Sequence, residues 1–514
     1  MVVSSQSESQ ASSRPRPLWG ALIAALGLTT VTLVPLFCLP VLPFTDLPNH
    51  LAAASVYKYG QNAGHPLSQI YQSTVQWSDP AIAHVVLPSL FRSVVVGMRV
   101  CILAYAVLLP VATLLLIQRC RGDPWIGVLA VTLLYNYNVT WGFAGFMLGL
   151  PLVAAYVLAH ASLLRRPTVA SWAAMAVVLL FLYWTHVLLL LFVVLCYVVS
   201  EAVHWRRRFW FQRCVSPTPL LPALALLGHW ILSSGRFGQQ NTVSFLADYY
   251  RAEYFSSLVW RARHLFNNFH QLADGFIGAA IAVVLTLAVL VPFLLALRGG
   301  AVVDRWRTCP ACRVVTVTTV CAFGCFVVLP DRLPGQWYLF QRYVVVLMLG
   351  TVVCLAFLAP RRHRPRLRVW ALMVAGAYTA LWVQYFIAFG QSNQGFDRAF
   401  LDVPNAAQTT MAAIIDEAKY RGRPVLNHFN NYHIVWNGGP APTGTIQYRF
   451  GSVQLEEGVV LPPYSEWVDW LDSGDEIEKL ADRYEKCEYL LVHGKRARQV
   501  IEARGERKLI RIEG

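Results

Sequence analysis

The sequence predicts a polytopic α-helical membrane protein of about eleven spans with a small C-terminal α/β domain. Three observations predict it. The 514 residues are 56% hydrophobic and only 14% charged, against roughly 25% charged in an ordinary soluble chain. Apolar runs near the roughly 20 residues that cross a bilayer recur through the first 390 positions. The arginines between those runs fall unevenly on alternate loops. Abundant aliphatic and aromatic residues exclude a disordered chain. No fixed period of 20–50 residues marks a repeat array.

In chain order, residues 1–17 are polar and rich in Ser and Gln, and are expected to be a disordered cytoplasmic N-terminus. Apolar runs follow at 18–40, 98–118, 125–139, 143–163, 168–184, 185–203, 217–234, 275–297, 314–330, 343–359 and 369–389. The third and ninth are short, and the fifth and sixth meet in a hairpin near Trp184 to His186. The first run is too long for a cleavable signal peptide, and no small-residue cleavage site follows it. With the N-terminus in the cytoplasm, the cytoplasmic segments hold 19 basic and four acidic residues, and the opposite loops before residue 391 hold nine and six. The net charge of +15 is therefore a positive-inside signal and requires no nucleic-acid patch. An odd span count puts the tail outside. The membrane domain is 18–390, with extracytoplasmic loops 41–97, 235–274 and 331–342. The tail, 391–514, turns sharply towards charged residues. Its pattern predicts helices at 405–421, 475–486 and 495–503 and strands at 423–427, 433–449, 488–492 and 507–512, an α/β alternation.

Of eleven cysteines, six lie in spans, four in cytoplasmic loops (Cys120, Cys214, Cys309, Cys312) and one, Cys487, in the tail, so no disulfide framework is expected. Cys309-Pro310-Ala311-Cys312 is a lone CxxC. It is either an inert pair or a redox or metal site, and it supplies only two of the four ligands zinc takes. Asn138-Val139-Thr140 matches a glycosylation acceptor by pattern, but its loop is too close to the membrane to be one.

The first loop opens Phe44-Thr45-Asp46-Leu47-Pro48-Asn49-His50. Pro48 suits a first helical turn, and Asp46 sits where an N-cap belongs. His50 follows Asp46 by four residues, so in a helix both side chains reach one spot just outside span one. The plain reading is a helix cap with a polar interfacial His. The chemical reading is a carboxylate set against the membrane face. The other loops on that side add cations and rings: Asp248, Tyr249, Tyr250, Arg251, Tyr254, Trp260, Arg261 and Arg263 in one, and Asp331, Arg332, Trp337, Tyr338, Gln341 and Arg342 in the other. Trp and Tyr at this depth act as interface anchors. Arginines on the cation-poor side point to an anion such as a lipid phosphate.

Asp46-Leu47-Pro48-Asn49-His50 and Trp141-Gly142-Phe143-Ala144-Gly145-Phe146-Met147-Leu148-Gly149, within this span plan, resemble segments of the GT-C class of integral-membrane glycosyltransferases, in its less characterised bacterial members. Members such as protein mannosyltransferases carry two adjacent acids where this chain has Asp46 alone. The resemblance implies a GT-C-like fold in a bacterial inner membrane. It implies a polyprenyl-phosphate-linked sugar as donor, and a glycan, lipid or protein as acceptor. Asp46 is then the general base, and His50 orients it or hydrogen-bonds the phosphate. Arg342 first, then Arg251, Lys58 and Arg332, bind the donor phosphate, and Tyr249, Tyr250, Trp337 and Tyr338 line the substrate. No cofactor is implied, and one Asp with one His are too few ligands to claim a divalent cation. Gly142, Gly145 and Gly149 read as close-packing positions. The rivals are a transporter or flippase for a lipid-linked sugar, an O-antigen ligase or polymerase, and a non-catalytic scaffold. A transporter would carry ionisable residues in mid-span, where this sequence offers His160, His186 and His229.

Overall fold

A backbone in lipid must satisfy its own hydrogen bonds, so apolar runs of this length fold as helices. The computed structural model describes residues 18–204, 217–233, 257–268, 275–298, 301–333, 336–394 and parts of 396–511. α1 (Leu18–Cys38) leads into a first loop holding α2 (Leu47–Tyr59), β1 (Tyr71–Ser73) and α3 (Ala83–Ser89). α4 (Val94–Arg119) returns. A 3-10 stretch (Pro124–Leu133) and a helical turn, α5 (Tyr137–Thr140), come next, followed by α6 (Ala144–Arg165), α7 (Val169–Thr185), α8 (Val187–His204) and α9 (Leu221–Ser233). Further on lie α10 (Leu258–Arg263), α11 (Gly275–Leu297), α12 (Ala301–Thr308) and α13 (Pro310–Val328). A short hairpin of β2 (Arg332–Leu333) and β3 (Gln336–Trp337) precedes α14 (Leu339–Leu358) and α15 (Arg364–Ser392).

The chain is a helical membrane protein: seven of these helices are long and apolar enough to cross a membrane, and α7, α8 and α9 are shorter apolar helices. Exposed apolar side chains run along α4 (Val96, Leu103, Leu108, Leu115) and α11 (Ile277, Val284, Leu294), the surfaces that lipid covers. α14 is the opposite case, buried on nearly every side and forming the axis of the bundle.

The expected third span is not an α-helix. Residues 124–133 are ten residues of 3-10 helix, every described side chain buried except that of Trp125. The segment runs antiparallel to α14. At one end the Asp123 amide donates to the Ala356 carbonyl (3.0 Å), and at the other the Asn138 side chain donates to the Arg342 carbonyl (3.3 Å). Those two α14 positions are about 21 Å apart at 1.5 Å per residue. The fifteen-residue step from Asp123 to Asn138 spans that distance at about 1.4 Å per residue, so length alone does not select the 3-10 form.

The tail returns to the first loop. β5 (Val453–Leu455) pairs antiparallel with β1, Tyr71 opposite Leu455. The Tyr71 hydroxyl donates to the Ala441 carbonyl (2.9 Å) and accepts from the Ala441 amide (2.8 Å). β4 (Met411–Ile415), β6 (Tyr489–His493) and β7 (Leu509–Arg511) form a parallel sheet in the order β4-β6-β7. β4 corrects the helix expected at 405–421, because pairing with β6 overrides the local helical pattern. Residues 433–437 form a helical turn where strand was expected. Strands at 488–492 and 507–512 are present in substance. The helices expected at 475–486 and 495–503 fall mostly outside the described residues.

Candidate functional site

Asp46 stands at the N-cap position of α2, but its backbone is helical and its carboxylate makes no capping hydrogen bond. Its place is set instead by backbone pairing with the segment before α6. The Thr45 amide donates to the Thr140 carbonyl and the Asp46 amide to the Trp141 carbonyl, both at 3.0 Å. Gly142 makes that approach possible. Its φ is +75°, and a Cβ there would sit 2.8 Å from the Leu47 nitrogen and 3.0 Å from the Asp46 nitrogen. The two sequence segments singled out above are thus one structural unit. Gly145 and Gly149 pack against Thr185 and Leu189, as close-packing positions do.

Along the first turn of α2, Leu47, Pro48 and Asn49 are buried while Asp46 and His50 keep accessible surface. Around that accessible side the fold gathers residues from five distant elements. His84 of α3 meets His50 edge to face, ring centroids 4.4 Å apart. His50 also hydrogen-bonds the Gly142 backbone. Arg342, in the first turn of α14, is 8% exposed. Its guanidinium lies 3.9 Å from the centre of the Phe143 ring and 3.0 Å from His186 Nε2 at the α7–α8 junction. Arginine has no acceptor atom, so His186 offers a lone pair on Nε2 and carries its proton on Nδ1. That Nδ1 is buried with no hydrogen-bond partner. Arg342 lies within the field of both Asp46 and His50. From the tail, His428 brings Nε2 to 3.3 Å from Asp46 Oδ1, and the Asn431 amide donates to the Asn49 side chain (2.5 Å). Burial, followed by His84, His428 and Arg342, pushes the His50 imidazole well below its ordinary value. Burial lowers His84 to about 4, opposed by a hydrogen bond to the Ala81 backbone. Both rings are therefore neutral near pH 7.

Tyr338 caps α14 in a left-handed conformation (φ +62°). Its ring packs 4.4 Å from Trp141 and 5.5 Å from Tyr137, and Phe143 continues that wall under Arg342. A non-glycine residue at positive φ is costly and is held only where its surroundings fix it.

The residues singled out from sequence divide sharply. Asp46, His50, Arg342 and Tyr338 share this neighbourhood. Lys58 does not: twelve helical residues put it about 18 Å from Asp46, and its ammonium donates to the carbonyls of Phe91 and Arg92. It ties α2 to the turn between α3 and α4, away from Asp46. Arg332 and Trp337 face each other in the β2–β3 hairpin, their side chains outside the described set. Tyr249, Tyr250 and Arg251 lie outside the described residues. Arg261 caps the end of α13 through the Phe326 and Leu329 carbonyls (2.5 and 2.7 Å). His84, His428 and Phe143 were not singled out for the site, and His186 was marked only as a span residue. The one signal for His186 was a polar ring between two apolar runs, and nothing local marks His428. Among the described residues no three His, Cys, Asp or Glu side chains converge as metal ligands.

Compared with known proteins, the chain matches no protein-family model and no curated protein.

Proposed function

We propose that the protein is a membrane glycosyltransferase that moves a sugar from a polyprenyl-phosphate donor to an extracytoplasmic acceptor, with Asp46 as general base. The observation that carries this reading is the Asp46 carboxylate. It stands at a capping position without capping, and it lies in the field of a nearly buried arginine. A carboxylate spared from structure, beside a fixed cation, suits a reaction that removes a proton and creates a phosphate anion.

In this reading the acceptor hydroxyl attacks the anomeric carbon while its proton passes to Asp46. The bond from that carbon to the phosphate oxygen breaks, and its electron pair stays on the phosphate. Arg342 neutralises the developing charge, and the unpaired Nδ1–H of His186 is a second donor to it. A phosphate leaves without protonation, so one carboxylate suffices, unlike the two of glycoside hydrolysis. Burial keeps His50 neutral beside the carboxylate, and His428 orients Asp46 from the tail. Tyr338, Trp141 and Phe143 form the apolar wall for sugar and lipid. The membrane plan that goes with this reading is eleven crossings of a bacterial inner membrane, the 3-10 segment counted as one, with a cytoplasmic N-terminus.

The flippase reading would require charge in mid-membrane. The one described buried pair inside the helices, His160 with Glu201 (3.2 Å), lies near the ends of α6 and α8 away from Asp46. The test uses the purified protein in lipid nanodiscs with a panel of polyprenyl-phosphate hexoses and pentoses. Transfer or slow donor hydrolysis is expected in the parent and not in Asp46→Asn. Donor turnover in the Asn variant within a few-fold of the parent would make Asp46 a structural residue.

A further inference from the structure

The opposite end of the bundle holds a second reactive cluster. Cys120 caps the end of α4. Cys309 occupies the N-cap of α13, and Cys312 lies one turn inside it. The Cys309 sulfur is 4.0 Å from the Arg119 carbonyl oxygen, and the Cys312 sulfur is 3.6 Å from that of Cys120. The CxxC pair is therefore clamped over the end of α4, and its neighbour there is a third cysteine 189 positions before Cys309 in the chain. Each of the three thiols lies within the electrostatic reach of the other two.

Their environments differ. Cys120 and Cys312 are buried, and only Cys309 reaches solvent. The Cys309 sulfur accepts from the thiols of Cys120 and Cys312 and from the backbone amides of Cys312 and Ala311 in the first turn of α13, which hold it far below the ordinary thiol range against the effect of burial. Cys120 is displaced upward, first by its hydrogen bond to Cys309 and then by Cys312 and burial. Arg305 and Arg307 end the preceding helix, and the field of Arg305 reaches Cys312. An inert structural pair is buried and protonated. Here the accessible thiol is the one at a helix N-terminus, close to the arginines that end the preceding helix, the arrangement of reactive cysteines.

We propose that Cys309, Cys312 and Cys120 form a thiol–disulfide exchange site for a small-molecule disulfide of the glutathione class. Cys309 is the nucleophile, Cys312 the resolving thiol, and Cys120 the buried thiol beside them that supports Cys309. The Cys309 thiolate attacks one sulfur of the small disulfide. That S–S bond breaks and its electron pair leaves on the released thiolate. Cys312 gives up its proton and attacks the Cys309 sulfur, expelling the second thiolate. The two protein sulfurs are oxidised by two electrons and one small disulfide is reduced to two thiols; one leaving thiolate takes the proton that Cys312 gives up and the other takes one from water, which received it when Cys309 ionised. The product is a Cys309–Cys312 disulfide beside the end of α4. The site is independent of the sugar-transfer reading.

The test is timed alkylation of the intact protein in detergent at pH 7, read by peptide mass spectrometry. A thiol of ordinary pKa is only a few per cent ionised there. Cys309 should react roughly ten-fold faster than free glutathione, part of the ionisation gain being offset by lower intrinsic nucleophilicity. Glutathione disulfide should then produce a Cys309–Cys312 disulfide that dithiothreitol reverses, and Cys312→Ser should stop at the mixed disulfide on Cys309. Cys120→Ala should slow Cys309 alkylation several-fold, while Cys120→Ser, which keeps a donor, should not. In the unmutated protein, alkylation of Cys309 no faster than glutathione, or no disulfide after glutathione disulfide, would overturn the proposal without any variant having to fold.

Discussion

Asp46 and Asp123 make an instructive pair. Each stands at the start of a helical segment, followed within two residues by a proline, and each arrives from the end of an apolar helix. Asp123 is consumed by structure. Its carboxylate accepts from the Trp125 amide (3.2 Å) and pairs with Arg368 (2.9 Å), and its side chain is 2% exposed. Asp46 is 29% exposed, makes no cap, and among the described residues meets only a tail histidine at ion-pair distance. The same residue in the same local pattern is a fastener at one end of the bundle and an accessible, non-capping carboxylate at the other. The difference lies in what the rest of the chain brings to each.

Replacing each aspartate by asparagine separates them most widely. Asp46→Asn keeps shape and fold but cannot take a proton, so turnover should fall about 10²–10⁴-fold, roughly 3–5 kcal/mol of barrier, with melting unchanged. Asp123→Asn can still cap, because Asn caps about as well as Asp. It loses the charge facing Arg368, which is 41% exposed, so about 1–2 kcal/mol of stability should go and activity should remain. Matching effects on melting and turnover in the two variants would erase the distinction.

A second contrast concerns two cations of the same face. Arg342→Gln should weaken polyprenyl-phosphate binding roughly 10- to 100-fold, the loss of one or two charge-assisted hydrogen bonds. Lys58→Met should leave that affinity unchanged and cost about 1 kcal/mol of thermal stability, because its partners are backbone carbonyls of the first loop. Calorimetric titration of both variants in nanodiscs checks this. Equal losses of affinity would return Lys58 to the site.

Gly142→Ala tests how Asp46 is held. The positive φ and the two backbone nitrogens in the way should cost about 1–3 kcal/mol. Because the displaced backbone carries Asp46, turnover should fall more than a control of equal destabilisation made at Asp123. Activity that tracks stability alone would remove the positional role.

A further effect is expected on pH. His84 has a folded-state pKa near 4, below the ordinary 6.5. The unfolded chain therefore binds more protons between those values. This contribution to stability is intact above about pH 6.5 and is lost as pH falls towards 4, at about 1.4 kcal/mol per unit. His84→Gln should flatten the fall in melting temperature between pH 7 and pH 5. The flattening should be partial, since burial moves His50 the same way. An unaltered slope would show that protonation of His84 is not what the fold resists.

Much of the architecture was legible because it follows from one-dimensional properties. Apolar length gives helices, and ten of the eleven runs are helices here. The first-loop helix was announced by Asp46, Pro48 and the alanines behind them. The third run was misjudged as to helix type because its composition says only apolar and buried, and nothing local in it distinguishes a 3-10 helix from an α-helix. The helix expected at 405–421 became β4 because its partner strand lies more than seventy residues away.

The sequence by itself determined that this is a helical membrane protein, and it picked out Asp46, His50 and Arg342 as chemically conspicuous, since composition, periodicity and a rare charge at a membrane boundary are local facts. Only the tertiary structure decided that Asp46 is no cap, that Lys58 is elsewhere, that His428 meets the carboxylate while His84 stands against His50 and His186 against Arg342, and that Cys120 joins the CxxC pair. Each of those depends on backbones brought together from distant parts of the chain. The α2–α6 approach that Gly142 permits and the return of the tail through β1 and β5 are the contacts that do so, and no local pattern encodes a distance between segments hundreds of residues apart.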